Sequence, residues 1–381
     1  MQRKKIAYIS GTRADFGLMT PVLKAIEQSP KLSLSVYATG MHLMPEFGGT
    51  VREVEKLFPK ARKIEAVFEG DDPRSMATFT NRFLSGVFDV FNADKPDFVL
   101  TLGDRREMLD VATACLSWTI PTGHIHGGEK TGTVDEVARH AITKLSHMHF
   151  PATRESAERL KRLGEEEWRI HVVGAPALDV ILHSELPSKE AVKQYTAINT
   201  GEFILVTQHP TSENWERAGI EMRETLEAVK SFNMPIVVIY PNADRGSGDI
   251  IAEIERERNN PLFRVFRSIP YEMFLAIERD AAVWVGNSSA ALIESASFRT
   301  PIVNVGSRQK GRERGSNVID AGHNQKEITS AILMSLHDVT YRGSLKGVLN
   351  PYGNGTASQK IVKVLENLEP SEKLLAKQIT Y

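Results

Sequence analysis

Short apolar runs alternate along the chain with longer stretches in which apolar residues recur every three or four positions. Runs at Lys5–Ser10, Ser33–Thr39, Asp97–Leu102, Pro121–His126 and His147–Phe150 read as strands, and Thr20–Gln28, Met76–Asn92 and Arg105–Ser117 read as helices. Parallel strands need crossover connections and helices supply them, so this rhythm predicts an α/β protein built on a parallel sheet. The rhythm pauses over Leu186–Thr200, where Pro187, Ser188 and Asn199-Thr200-Gly201 mark an expected junction. It resumes with strands at Glu202–Thr207, Ile236–Tyr240, Leu262–Phe266, Ala281–Val285 and Pro301–Val305, separated by helices such as Trp215–Lys230 and Asp249–Arg258. A turn cluster at Asn350–Gly355 precedes a last helical stretch, Ala357–Leu368. Two βα domains in tandem are expected, with the boundary between Val173 and Thr200.

Length agrees with this division, since 381 residues exceed what a single core usually organises. The 47 basic and 48 acidic residues leave a net charge of −1, so no global field draws the chain to nucleic acid or to an anionic membrane. The longest clean apolar run, Met234–Tyr240, is far below the ~20 residues of a membrane span, and Met1–Lys5 leads into a strand without a cleavable apolar region. A soluble, cytoplasmic protein with neither a nucleic-acid nor a membrane partner is expected. Cys115, the one cysteine, lies in the apolar stretch Val111–Leu116 and reads as a buried structural thiol.

Candidate chemistry gathers after the strands, where an open parallel sheet binds its ligands. After the first strand, Gly11-Thr-Arg13 offers a helix N-terminus and an arginine fork suited to an anionic group. Asp104, with Arg105 beside it, ends another strand and reads either as a helix cap or as a working carboxylate. The string His124-Ile-His126-Gly-Gly-Glu129 places two histidines on one strand face by the period of two, followed by glycines that admit a ligand to the backbone and by Glu129, which reads either as a second working carboxylate or as a solvated loop charge near Lys130. No third or fourth soft ligand is suitably spaced, so no metal is expected. Asp104 and Glu129 in one site could hold different protonation states, one removing a proton and the other delivering one. In the second half, His209 stands at a strand end in Gln208-His209-Pro210; the small residues and hydroxyls of Gly286-Asn287-Ser288-Ser289, ahead of a helix containing Glu294, read either as an anion cradle or as a plain Asn/Ser cap; and Arg308–Arg314, including Arg312, reads either as a further set of basic and amide donors or as a surface loop. The charge run Gly164–Glu167 reads as a solvated loop, and His147 and His149 as satisfied core or edge histidines.

Taken together, these strings resemble the hydrolysing nucleotide-sugar 2-epimerases of sialic-acid-type biosynthesis, whose usual member acts on UDP-N-acetylglucosamine. The resemblance rests on Gly11–Gly17, Thr39-Gly-Met-His-Leu43, Gly103-Asp-Arg105, His126-Gly-Gly-Glu129 with Thr131–Asp135, Arg139-His140, Gln208-His-Pro210, Gly286-Asn-Ser-Ser289 and Asn350-Pro-Tyr-Gly353. It implies a glycosyltransferase-B-like fold: Rossmann-like domains at 1–180 and 181–356 facing a cleft, with 357–381 crossing back to the first. It further implies a nucleotide-sugar substrate, no cofactor, no metal, and a homo-oligomer (dimer or tetramer). Non-hydrolysing relatives carry a Gly-Thr-Arg-Pro-Glu first loop and a glutamine after Thr-Gly; the Ala14-Asp15 and Met41 found at those places favour the hydrolysing branch. With the animal enzymes' fused sugar-kinase domain lying beyond the length of this sequence, a bifunctional role is not expected. The resemblance implies acid/base roles for Asp104 and Glu129, with Asp135 shaping their protonation or contacting the sugar, and a diphosphate grip by Arg13, His209, Ser288 and Ser289, with His209 counted among the catalytic residues as well, Arg105 and Arg312 on the substrate or UDP, and Glu294 on the ribose. The same chemistry on UDP-2,4-diacetamido-2,4,6-trideoxyglucose or a GDP-linked sugar is the alternative, followed by a transferase or a non-catalytic sensor of the same fold.

Overall fold

The computed structural model describes residues 3–70, 72–199, 201–211, 213–369 and 371–381. Met1, Gln2 and Thr200, named above, lie outside the described residues. Six strands, β1 (Lys4–Ser10), β2 (Leu32–Ala38), β3 (Arg62–Lys63), β4 (Phe98–Leu102), β5 (Thr122–Ile125) and β6 (Met148–Phe150), form one sheet in the order β3-β2-β1-β4-β5-β6. Six more, β7 (Ile204–Thr207), β8 (Ile236–Ile239), β9 (Phe263–Phe266), β10 (Val283–Gly286), β11 (Ile302–Val305) and β12 (Val318–Ala321), form a second in the order β12-β11-β10-β7-β8-β9. Every pairing is parallel. Both sheets are doubly wound, and in each the chain reverses direction across the sheet between its first and fourth strands, the crevice where such sheets bind ligands.

The chain divides into two compact units, one comprising Met1–Glu129, Asp135–His183 and Tyr352–Tyr381, the other Lys130–Val134 and Ser184–Pro351. In the second unit, strand alternation sends side chains to two separate cores. Ile204, Val206, Val238, Val283, Val285 and Val303 pack on one face, while Leu205, Val237, Trp284 and Ile302 pack on the other. Burial on both faces is why these strands read as continuous apolar runs. Trp284 is wholly buried, and its indole N–H donates to Thr207 Oγ1 at 2.7 Å, so the polar end of a large apolar side chain is satisfied.

The last long helix, Ala357–Asn367, belongs to the first unit because Ile361 and Leu365 join the core built on Ile6, Tyr8, Phe98 and Leu100. Its ends are closed by side chains from far along the sequence. The Asp179 carboxylate accepts the N–H groups of Ala357 (2.9 Å) and Ser358 (2.7 Å), and the Lys4 ammonium donates to the carbonyls of Leu365 (2.7 Å) and Glu366 (3.2 Å). An anion at the N-terminus and a cation at the C-terminus is the arrangement the helix dipole favours.

Four sequence expectations change. The junction contains a helix, Lys189–Thr196, capped by Ser188; its polar face hid its pattern, and Val192 is the side chain it buries most completely beside Thr196. The edge strands β3 and β12 were not anticipated, being short and largely exposed or half-buried. The Trp215 stretch opens as a single 3₁₀ turn before the helix Ala218–Lys230 begins. Glu165, in the run read as a solvated loop, has a fully buried carboxylate bonded to His149 Nε2 at 2.8 Å and paired with Lys144 at 2.9 Å and Lys377 at 2.5 Å. Opposite charge supplied from distant segments makes that burial tolerable. No described helix is long and apolar enough to cross a membrane.

Candidate active site

In the first unit the loops after β1, β4 and β5 carry the candidate residues. The helix that follows β4, Arg106–Ser117, is capped by Arg105 without a side-chain bond, so Asp104 precedes the cap position. Its carboxylate pairs instead with the Arg139 guanidinium, which also donates through Nη1 to the carbonyl of His126 at 2.7 Å. Arg139 is 2% exposed and stands on the helix Asp135–Leu145, four residues after Asp135 and hence on the same helical face. His126 Nδ1 in turn bonds the Glu129 carboxylate, and both side chains are almost wholly buried. Asp104, Arg139, His126 and Glu129 therefore form one continuous chain of contacts. His126 Nε2 is buried with no bond to any described residue, which leaves one ring nitrogen of this chain uncommitted.

The expected shared face of His124 and His126 is not found. Strand β5 ends at Ile125 and His126 adopts φ 62°, so strand alternation stops before it. His124 bonds the Gly103 carbonyl through Nε2 (2.7 Å) and Thr143 through Nδ1 (3.0 Å), and burial holds it near a pKa of about 3, hence neutral. It ties β4 to β5 rather than facing a ligand. Gly127 and Gly128 are likewise required by the protein itself, since a Cβ at Gly127 would meet His124 Nδ1 at 2.8 Å and one at Gly128 (φ 78°) would strike the Ser156 carbonyl. Among the described residues no group of three or more His, Cys, Asp or Glu is placed to hold a metal ion.

Arg13, expected on the diphosphate, and Arg105, expected on the substrate or UDP, both have carboxylate partners. Arg13 gives Nε to Glu53 at 2.9 Å and Nη2 to the same carboxylate, and Arg105 gives Nη2 to Glu107 at 3.1 Å. Glu107 is only 2% exposed, and its Oε1 lies so near the first loop that a Cβ at Gly11 would meet it at 2.9 Å. Sequence reading missed Glu107, whose place in the first turn of a helix looks like ordinary dipole compensation. Behind that loop, Asp15 is buried among Tyr8 (3.1 Å), Ser10 and the Gly11 and Thr12 N–H groups, with His42 bonded to Ser10 at 2.8 Å. Burial raises Asp15 and lowers His42 to about 4, so this network holds the loop without adding a cation.

In the second unit the loops after β7 and β10 meet through Asn287. Its side-chain amide donates to the His209 carbonyl at 2.9 Å and accepts the His209 N–H at 2.7 Å, while its own carbonyl accepts Gln309 Nε2 (2.9 Å) and Arg308 Nη1 (3.1 Å). The backbone N–H of Asn242 donates to His209 Nδ1 at 3.3 Å, which in the neutral ring leaves the proton on Nε2 and makes that atom a donor. Ser288 caps the helix Ser289–Phe298 without using its hydroxyl for the cap, and both serines are half-buried. Gly286, at φ 137°, brings β10 against the Thr207 carbonyl, where no Cβ fits. Arg312 is buried and donates Nε to the Lys130 carbonyl at 3.3 Å, Gly132 donates to the Arg308 carbonyl at 3.0 Å, and Val134 donates to Glu213, which together hold 130–134 to this unit. Glu294 is buried one and a half turns into its helix and accepts the Tyr271 hydroxyl at 3.0 Å.

Residues 24–366 match the profile of the family described as UDP-N-acetylglucosamine 2-epimerase. The chain belongs to that family. It is 38% identical over 382 aligned residues to the UDP-N,N'-diacetylbacillosamine 2-epimerase (hydrolyzing) of Legionella pneumophila, covering 99% of this chain and all of that protein. It is 36% identical to the GDP/UDP-N,N'-diacetylbacillosamine 2-epimerase (hydrolyzing) of Campylobacter jejuni over 84% of this chain and 85% of that one, and 33% identical to a UDP-N-acetylglucosamine 2-epimerase of Neisseria meningitidis over 96% of each. Among solved structures, a UDP-GlcNAc 2-epimerase from Neisseria meningitidis bound to UDP-GlcNAc matches with a TM-score of 0.79 at 20% identity, over 95% of this chain and 99% of that one. At that identity the likeness concerns the fold, which is the glycosyltransferase-B-like pair of doubly wound units expected from the motifs. An enzyme of the UDP-sugar 2-epimerase family, with hydrolysing relatives, thus carries the two polar clusters described above.

Proposed function

We propose that this enzyme hydrolyses a UDP-linked 2-acetamido sugar with inversion at C2. The observation that carries the proposal is the chain Asp104–Arg139–His126–Glu129, which sets two carboxylates in different surroundings: Asp104 against a guanidinium, Glu129 buried against an imidazole. Such a difference is what separates a proton acceptor from a proton donor. In the first half-reaction the C2 proton leaves to an enzyme base, the C1–O bond to UDP breaks, and a C1–C2 double bond forms, giving a 2-acetamidoglycal and UDP. In the second, water adds its oxygen to C1 while C2 is protonated from the opposite face, giving the free 2-epimeric sugar. Asp104 and Glu129 do the proton work, and Asp135, on the same helical face as Arg139, assists them. His209 Nε2, Ser288, Ser289 and Arg312 stabilise the charge that develops on the departing diphosphate, and Glu294 accepts the ribose hydroxyls. Arg13 and Arg105, engaged by Glu53 and Glu107, are assigned to ordering the loops after β1 and β4.

The relatives of 38% and 36% identity are named for diacetylbacillosamine, which favours UDP-N,N'-diacetylbacillosamine as the sugar nucleotide. UDP-N-acetylglucosamine, and with it formation of N-acetylmannosamine, is the second reading, favoured by the Neisseria relative. Supplying each sugar nucleotide in D2O and following the products by NMR tests both. Free UDP and a C2-deuterated epimer are expected from the preferred sugar, at a higher kcat/KM than from the other. Full retention of the original C2 proton would overturn the elimination route.

A further inference from the structure

Behind Glu294 lies a second carboxyl group that the mechanism does not use. Glu278, on the helix Tyr271–Asp280, is wholly buried, and neither of its oxygens receives a donor from any described residue. Its carboxyl lies within hydrogen-bond reach of the Glu294 carboxyl, while Glu294 Oε2 also lacks a donor and Oε1 accepts Tyr271. The helix is pinned at this point, because the Glu278 carbonyl accepts Thr300 Oγ1 at 3.0 Å. Among the described residues no cation compensates the pair. The adjacent Arg279 is committed to Asp280 at 2.8 Å and to the Pro187 carbonyl, strands β10 and β11 contribute no ionisable side chain, and on the packed helix Lys189–Thr196 the charged Lys189, Glu190 and Lys193 are exposed. Tyr271 is the remaining ionisable group that bears on the pair.

Two carboxylates cannot both stay ionised in contact without water or a counter-ion, and a buried acceptor with no donor is costly in its own right. A single proton resolves both problems. Glu294 already receives a hydroxyl and is the better anion; Glu278 receives nothing and is the better acid. We propose that Glu278 holds one resident proton and donates it to Glu294, making Glu278 a positioning residue that keeps Glu294 a singly charged, correctly turned acceptor for a ligand's vicinal diol. The proposal rests on the reading of Glu294 as the ribose carboxylate. Burial, and then the facing Glu294 charge, push Glu278 well above the ordinary carboxylate range, so the proton is held more tightly than by an ordinary carboxyl and is lost as the pH is raised.

Infrared spectra and UDP calorimetry on the folded full-length enzyme test this, with melting curves as the check on folding. Wild type at pH 7 is expected to show the carbonyl stretch of a protonated carboxyl that Glu278→Gln lacks. Wild-type affinity for UDP is expected to fall on the alkaline side, and that fall to flatten in Glu278→Gln, whose amide keeps a donor towards Glu294. Glu278→Met, which offers no donor, is expected to bind UDP about tenfold more weakly while binding 2',3'-dideoxy-UDP as wild type does. An unchanged protonated-carboxyl band in Glu278→Gln overturns the shared proton. If Glu294→Gln weakens UDP binding but Glu278→Met does not, the positioning role falls and the ribose reading stands. If Glu294→Gln leaves the preference for UDP over its dideoxy analogue intact, the ribose reading falls and takes the nucleotide role of Glu278 with it.

Discussion

Replacing Lys377 by methionine should destabilise the first unit through a helix far from it in sequence. The Lys377 ammonium donates to the carbonyls of Thr143 (2.9 Å), Lys144 (3.1 Å) and Ser146 (2.7 Å), closing the C-terminal end of the helix Asp135–Leu145, and it pairs with the buried Glu165 at 2.5 Å. Arg169 fastens the same segment by donating to the carbonyls of Lys373 and Leu374 at 2.8 Å. Methionine keeps much of the apolar stem and loses the charge. Removing one partner of a buried ion pair costs about 3 to 5 kcal/mol, but Glu165 retains His149 and Lys144, so about 2 to 4 kcal/mol is expected for the whole change. For a unit of this size each kcal/mol lowers the melting point by about 2 to 4 °C, giving a fall of roughly 5 to 15 °C by scanning calorimetry at pH 7.

The pH dependence carries a sign. Burial alone would raise Glu165, but the bonds and charges of His149 and Lys377 outweigh it and hold the group at about 2. A depressed acid stabilises the fold above its unfolded pKa and loses that stabilisation as the pH falls through the folded value. The gap between wild type and Lys377→Met should therefore be widest near neutrality and narrow below about 4.5. Because the same helix carries Asp135 and Arg139, kcat should fall as well, with UDP affinity unchanged and Lys377→Arg recovering most of both losses. A Lys377→Met melting point within 1 °C or so of wild type at pH 7 would refute the reasoning.

Two further outcomes follow from the site. Asp104→Asn and Glu129→Gln should remain folded and bind UDP while losing turnover by roughly 10²- to 10⁴-fold, and added 2-acetamidoglycal should show which half-reaction each has lost; wild-type turnover in both would remove them from the chemistry. Gly286→Ala should abolish or severely weaken folding of the second unit, since it adds strain of about 1 to 3 kcal/mol at φ 137° to a collision with the Thr207 backbone, whereas Gly347→Ala, with open space around it, should melt as wild type does.

What the chain determined locally is its βα rhythm and the places where polar strings interrupt it. Strands buried on both faces must be continuous apolar runs, and the loops at their carboxyl ends must be polar to meet solvent or ligand, so β1, β4, β5, β7 and β10 were legible together with Asp104, Glu129, His209 and Ser288 beyond them. Short or exposed elements lacked that signal: β3 has two residues, and the helix Lys189–Thr196 shows mainly its polar face. The tertiary structure alone decided which charges are partners. Glu165 looks like one acid in a surface run until Lys377 and His149 arrive, the Glu53 partner of Arg13 comes from forty residues further on, and Glu278 is unremarked until its helix is laid against Glu294. Periodicity reports whether a position faces water or core, because that depends on the element's own geometry. The identity of a buried charge's partner depends instead on which distant segments the fold brings within a few ångströms, where Coulomb energy and desolvation are decided.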